Sequence, residues 1–143
     1  MIIVDLNLLL YAINRDAPHH EAARAWWESC LSGDGPVGLA WIVILGFLRI
    51  TTHPAVLPRP LAPERALAII DDWLAQPPIR VVFPTERHWG ILKELLVSSG
   101  TAGNLTSDAH LAALAIEHGA RLCSTDSDFS RYASLRWMNP LEG

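Results

Sequence analysis

Four short apolar runs, spaced by helix-length segments, constrain this chain more than any other feature. They are Ile2 to Val4, Ile79 to Phe83, Ala120 to Ser124 and the weaker Leu135 to Met138. Short apolar runs with β-branched residues suit strands buried on both faces. Strands separated by helices cannot be joined by hairpins. They need crossover connections, which leave neighbouring strands parallel and place helices over the sheet. The expected class is therefore α/β, a three-layer fold with a mostly parallel central sheet of about four to five strands flanked by helices. The 143 residues suit one domain covering residues 1–143.

The segments between the runs read as helices. Ala22, Ala23, Ala25, Trp26, Trp27 and Leu31 form an amphipathic pattern closed by Gly33 and Gly35. Ala40 to Ile50 is apolar nearly all round, and its length favours a buried helix over a strand. Thr52 to Pro63 carries four prolines and should be an irregular connection. In the next helix, Pro63 to Ala75, Leu67, Ile70 and Leu74 share one face, with Ala66 and Trp73 beside it. Thr85 is placed to cap a helix over Glu86 to Ser98, and Thr106 to cap one that ends at Gly119.

Half of the residues are hydrophobic and 18% are charged, which excludes the disordered class. The longest apolar run, Val37 to Leu48, is too short to span a bilayer, so no membrane role is expected. No basic segment precedes Asp5, and Cys30 and Cys123 form no metal-spaced pair; a reduced cytoplasmic setting is expected. The net charge of −4 weighs against a broad basic nucleic-acid footprint. Ten arginines against one lysine fit bidentate phosphate recognition, and fit a GC-rich genome equally well. No P-loop or GxGxxG occurs, which disfavours nucleotide binding.

The acids fall where an α/β fold does its chemistry. In an open parallel sheet the active crevice lies beyond the carboxyl ends of the strands. Asp5 follows the first strand, Asp126 and Asp128 follow the third, and Asp108 sits in the first turn of the helix leading into the third. If those strands are adjacent, Asp5 and Asp126 share one sheet edge. Clustered carboxylates repel one another unless a cation neutralises them, and an oxygen-only donor set suits Mg²⁺ or Mn²⁺. Each acid also has a plainer role: Asp108 favours the positive end of its helix, and Asp126 suits a turn after a strand.

The ordered motifs sharpen this. Ile2-Ile3-Val4-Asp5-Leu6-Asn7 resembles the opening of PIN domains. Leu105-Thr106-Ser107-Asp108-Ala109-His110-Leu111-Ala112-Ala113-Leu114-Ala115 resembles their third acidic motif, and Leu122-Cys123-Ser124-Thr125-Asp126-Ser127-Asp128-Phe129 their fourth. The closing Leu135 to Leu141 is similar to the tail of many VapC-type toxins. The resemblance spans nearly the whole chain. It implies a PIN-like fold and a Mg²⁺- or Mn²⁺-dependent endoribonuclease, the toxin of a toxin–antitoxin pair. It implies Asp5, Asp108 and Asp126 as catalytic metal-holding residues, with Asp128, Asn7, Asn104 and Thr125 as auxiliary groups that fix ligand geometry. It further implies RNA as substrate, a cognate antitoxin as partner, and a homodimer.

One departure stands out. PIN domains usually carry a Glu on the helix corresponding to Ala40–Ile50, about where Gly46 stands, and this helix has no acid. The loss removes a negative charge and should weaken metal binding. Glu86 and Glu94 are more simply read as helix-surface acids. The alternative is a degenerate PIN domain that binds RNA or a protein without catalysis. Aspartyl phosphotransfer ranks lower, because it needs Asp-x-Asp and the third position here is Asn7. Trp26, Trp27, Trp73 and Trp89 read as core or interface residues. Trp26, Trp27, Trp41 and Phe47 are also the stock from which an antitoxin groove could be built. The six histidines make no metal-ligand pattern.

Overall fold

The computed structural model describes residues 1–100 and 103–142. A parallel sheet of five strands runs through the middle, in the order β3-β2-β1-β4-β5. The strands are β1 (Ile2–Val4), β2 (Val37–Ala40), β3 (Ile79–Val82), β4 (Arg121–Cys123) and β5 (Trp137–Met138). Six helices flank them: α1 (Leu6–Ile13), α2 (His20–Ser32), α3 (Trp41–Thr51), α4 (Pro63–Leu74), α5 (His88–Ser99) and α6 (Thr106–Glu117).

β1 is central. Its Ile3 pairs with Gly38 of β2 on one side and Leu122 of β4 on the other. The chain builds outward from β1 through β2 and β3, then crosses back to lay β4 on the opposite flank of β1. The strand order reverses between β1 and β4, and a crevice opens at such a reversal, beyond the strand ends. Ile3, Val4, Leu39 and Leu122 are fully buried, as a sheet covered on both faces requires. Over them pack Leu8 and Leu9 of α1, Val43 and Phe47 of α3, and the small, apolar stretch Leu111 to Ala115 of α6.

Three expectations need correction. β2 lies inside the run Val37 to Leu48, which the sequence presents without a break. The strand passes straight into α3 through Ala40, whose side chain offers no cap. In α4 the buried stripe is Ala66, Ile69, Ile70 and Trp73, while Leu67 is 52% exposed and Leu74 also faces solvent. The stripe turns because Trp73 seats against Trp27 of α2 and Phe47 of α3, with ring centroids 5.4 and 4.9 Å apart. Trp27 and Phe47 are therefore core residues, not spare groove material, and Trp41 is left half exposed at the start of α3. Trp89 lies outside the core altogether, 66% exposed.

Helix ends also differ in detail. Thr106 is the first residue of α6, and its cap position is taken by Leu105 without a side-chain bond. Thr85 does accept from a backbone N–H, that of Arg87, but closes a turn just ahead of α5. Gly119, after α6, adopts φ +62°, the left-handed C′ conformation that glycine takes most easily.

Candidate active site

Asp5 sits where β1 becomes α1. It is the N-cap of α1, one carboxylate oxygen accepting from the Leu6 N–H at 2.8 Å. The other accepts from the Ser124 hydroxyl at 2.6 Å. β1 and β4 are hydrogen-bonded neighbours, so the end of β4 delivers Ser124 to Asp5 across 119 residues of sequence.

Ser124 organises this corner. A serine hydroxyl has one proton to donate and two lone pairs with which to accept. Its proton goes to Asp5, and it accepts from Asn7 Nδ2 at 3.1 Å and from the Asp126 N–H at 3.0 Å. The hydroxyl is fully used and fully buried. Because its only proton is committed to Asp5, it can meet Asn7 only as an acceptor. That fixes the Asn7 amide with its NH₂ toward Ser124 and leaves Asn7 Oδ1 buried with no hydrogen-bond partner among the described residues.

Asp126 begins the turn after β4, and its Oδ1 accepts from the Asp128 N–H at 2.9 Å. Asp128 is exposed, and Arg131 lies 3.6 Å from its carboxylate. Asp108 projects from the first turn of α6. Burial pushes the Asp108 carboxyl up to about 6, helped by the negative charges of Asp5, Asp126 and Asp128, with Arg131 opposing. Asp5 is also raised, by burial first and by Asp126 last, against the lowering bonds from Ser124 and Leu6. The four acids thus share one electrostatic neighbourhood. Three of them belong to segments more than a hundred residues from Asp5.

The sequence-expected residues divide accordingly. Asp5, Asp108 and Asp126 gather at one sheet edge, with Asp128 at the rim. Asn7 is present as expected, although its amide donates to Ser124 and its unpaired atom is an acceptor. The Thr125 side chain makes no hydrogen bond among the described residues, and the neighbouring Ser124 performs the linking that Thr125 was expected to share. The Asn104 side chain lies outside the described residues. Glu94 is an exposed acid on the surface of α5, and Glu86 lies exposed in the turn just ahead of it. Gly46 is buried against α1, where a Cβ would come within 2.6 Å of the Leu6 Cδ2 atom. α3 therefore does approach the residue next to Asp5, and Leu6 occupies the space a side chain at position 46 would enter.

One network escaped the sequence. His88, at the start of α5, bonds through Nδ1 to Glu117 and through Nε2 to His110 at 2.9 Å. Glu117 is buried, and burial alone would raise its carboxyl. The bonds from Thr85 and His88 outweigh this and bring it below its usual value. His110 is lowered by burial and by His88. The available signal was the seven-residue spacing of His110 and Glu117, which puts both on one face of α6.

The donor set fits a hard divalent cation. It is made of carboxylates and an amide oxygen, and it contains an orphaned buried acceptor in Asn7 Oδ1. Among the described residues no three acidic, histidine or cysteine side chains close into a cage. Mg²⁺ does not require one, since it keeps several waters and is held by one or two carboxylates.

Comparison with known proteins agrees with this geometry. The family model described as "PIN domain" matches residues 2–135. The chain is 48% identical over 140 residues to ribonuclease VapC37 of Mycobacterium tuberculosis, covering 98% of this chain and 97% of that protein. It is 44% identical over 141 residues to ribonuclease VapC33 of the same organism, covering 99% of each. The fold is like that of a chain in VapBC2 from Rickettsia felis, solved bound to a DNA fragment from its promoter. The TM-score is 0.72 at 20% identity, over 97% of this chain and 98% of that one. A second likeness is to VapC20 of Mycobacterium tuberculosis, a sarcin–ricin-loop-cleaving toxin, with a TM-score of 0.67 at 21% identity over 95% and 99% of the two chains. A model match over nearly the full length, together with relatives well above 40% identity, is decisive: this chain belongs to the PIN-domain family, among the VapC ribonucleases.

Proposed function

We propose that this protein is a divalent-cation-dependent endoribonuclease and the toxin of a toxin–antitoxin pair. The observation that carries the metal dependence is the shared burial and repulsion of Asp5 and Asp108, two carboxyls raised together at a strand edge with an unpaired amide oxygen beside them. A bound cation neutralises such a cluster. Asp5, Asp108 and Asp126 would hold it, as Mg²⁺ or Mn²⁺. When bound, the ion lowers the pKa of water and stabilises charge on the leaving oxygen of a phosphodiester.

The chain's own groups do the remaining work. Ser124 holds the Asp5 carboxylate in one orientation and the Asp126 backbone in register with it. The Asp126–Asp128 turn keeps Asp128 and Arg131 together at the rim, where Arg131 is placed to meet a phosphate oxygen. In-line attack by water breaks the P–O3′ bond and leaves a 5′-phosphate and a 3′-hydroxyl.

An antitoxin partner is supported by the VapBC complexes among the solved structures of like fold. Trp41, Ile42 and Leu45, exposed together on α3, supply an apolar face for that partner or for a second copy of the chain. Among the described residues no helix is long and apolar enough to cross a membrane. We place the protein in the cytoplasm, with its RNA and its antitoxin.

The test uses Asp5→Asn and Asp108→Asn. Each is expected to lower RNA cleavage at least a hundredfold and to weaken Mn²⁺ binding about 10- to 100-fold, while the fold is kept. Folded variants that cleave as fast as the parent would make these acids structural.

A further inference from the structure

A sizeable cavity lies apart from the carboxylate crevice. It has a volume of about 460 Å³ and lies among the end of α1, α2, the proline-rich connection and α4. Four arginines line it, Arg15, Arg24, Arg59 and Arg65, against one acid, Asp16. In a chain of net charge −4 this is a marked local reversal of sign.

The bonding of the arginines shows how uneven the charge is. Arg24 pairs with Glu28 at 3.0 Å and Arg59 with Asp16 at 2.9 Å. Elsewhere Arg131 pairs with Asp128, Arg80, Arg87 and Arg136 donate to backbone carbonyls, and Arg121 lies against Met138 Sδ. Among the described residues only Arg15, Arg49 and Arg65 make no hydrogen bond or ion pair. Two of those three face the same cavity. Free guanidinium groups brought together repel, and they present planar forks suited to phosphate oxygens. Apolar side chains such as Leu61 and Ile69 form part of the wall, a surface on which a base or ribose can lie.

We propose that this cavity is a secondary anchoring site for the phosphate backbone of single-stranded RNA. The inference rests on the ribonuclease reading and adds a site to it. A crevice built from four aspartates has only Arg131 and the cation it would hold to attract a phosphodiester, so further affinity for the strand has to come from elsewhere. The cavity supplies it from the far end of α1: Asp5 caps the start of that helix and Asn14 its end, about 13.5 Å along the axis at 1.5 Å per residue. A strand held at the carboxylates needs only a few nucleotides to cover that distance.

The test compares the parent with Arg15→Ala/Arg65→Ala, both exposed positions, and with Arg15→Lys/Arg65→Lys. Binding of a fluorescein-labelled single-stranded RNA is followed by anisotropy across a salt series, with Asp108→Asn in every protein to prevent cleavage. The alanine pair is expected to bind several-fold more weakly, with a log–log salt slope shallower by about 1.4, two contacts at about 0.7 each. The lysine pair should keep the slope and lose part of the affinity, because it keeps the charge without the fork. In the cleavage-competent background kcat at saturating RNA should not change. RNA affinity and salt slope equal to the parent's would overturn the proposal and leave the ribonuclease reading standing. So would unchanged RNA binding combined with lost binding of the antitoxin, which would make the cavity a protein-docking site. A parent that neither binds nor cleaves RNA would overturn both.

Discussion

At the scale of single residues, the site depends on how one hydroxyl distributes one proton. Ser124 gives its proton to Asp5 and accepts from Asn7 and Asp126, so three motif residues take their orientation from a side chain that bears no charge. The sequence displayed the acids plainly, because carboxylates after apolar strands are recognisable. It did not separate Ser124 from Thr125. Both follow the same strand, and successive side chains of extended chain point to opposite faces, so only the register of β4 against β1 decides which of them meets Asp5. Ser124→Ala should therefore weaken Mn²⁺ binding about 10- to 100-fold, in the range for groups that orient metal ligands. Thr125→Ala should leave it within about twofold, and Ser124→Thr should restore much of the loss. Titration of Mn²⁺ by electron paramagnetic resonance reads the difference; equal effects from Ser124→Ala and Thr125→Ala would remove Ser124 from its role.

At the scale of elements, legibility followed whether an element has an edge in the sequence. α4 is announced by Pro63 and stopped by Pro77 and Pro78, and it was found at nearly its true bounds. β2 was missed because nothing separates it from α3: the strand ends at Ala40 and the helix begins at Trp41. Its existence is enforced by pairing with β1 and β3, contacts that no local pattern records. The joint between α5 and α6 was invisible for the same reason. His88, Glu117 and His110 meet only when the two helices pack, and there Glu117 also holds the Thr85 N–H. A buried carboxylate that loses its partner is costly. His88→Ala is expected to destabilise the protein by about 3–5 kcal/mol, and replacing His88 and Glu117 together with apolar residues should cost much less. Chemical denaturation of the single and double variants gives both values; a single variant within about 1 kcal/mol of the parent would mean that Glu117 is adequately served by Thr85 alone.

At the scale of the whole molecule, the fold class was readable from the alternation of strands and helices, and the carboxylate edge followed from it. What the sequence could not give was the distribution of charge in space. Acids collect at one sheet edge and unpaired arginines at a cavity, and both are tertiary facts. The acidic edge has a consequence for stability. Burial and its acidic neighbours push the Asp108 carboxyl up to about 6 in the folded protein, against 3.8 for a free aspartate side chain. Between those values the folded state holds a proton that the unfolded chain has lost, so stability falls as pH rises through this window. Asp5, also raised, acts in the same direction. In EDTA the thermal midpoint should decline from pH 4 to about 6 through this contribution, Asp108→Asn should flatten the decline, and Mg²⁺ should oppose it by favouring the ionised carboxylates. A parent and an Asp108→Asn variant with parallel profiles would show that Asp108 ionises as an ordinary surface acid.

The position of β1 bears on when the enzyme comes into being. The first strand made is the innermost, and its outer neighbour on one side, β4, is among the last. While the ribosome is still adding the middle of the chain, Asp5 has neither Ser124 to hold it nor Asp126 to share its charge. The last strand completes the arrangement, since the Trp137 indole N–H donates to the Ser124 carbonyl at 3.1 Å and so steadies the strand end that carries the hydroxyl. A chain without β4 therefore lacks both the hydroxyl that orients Asp5 and the acid that shares its charge.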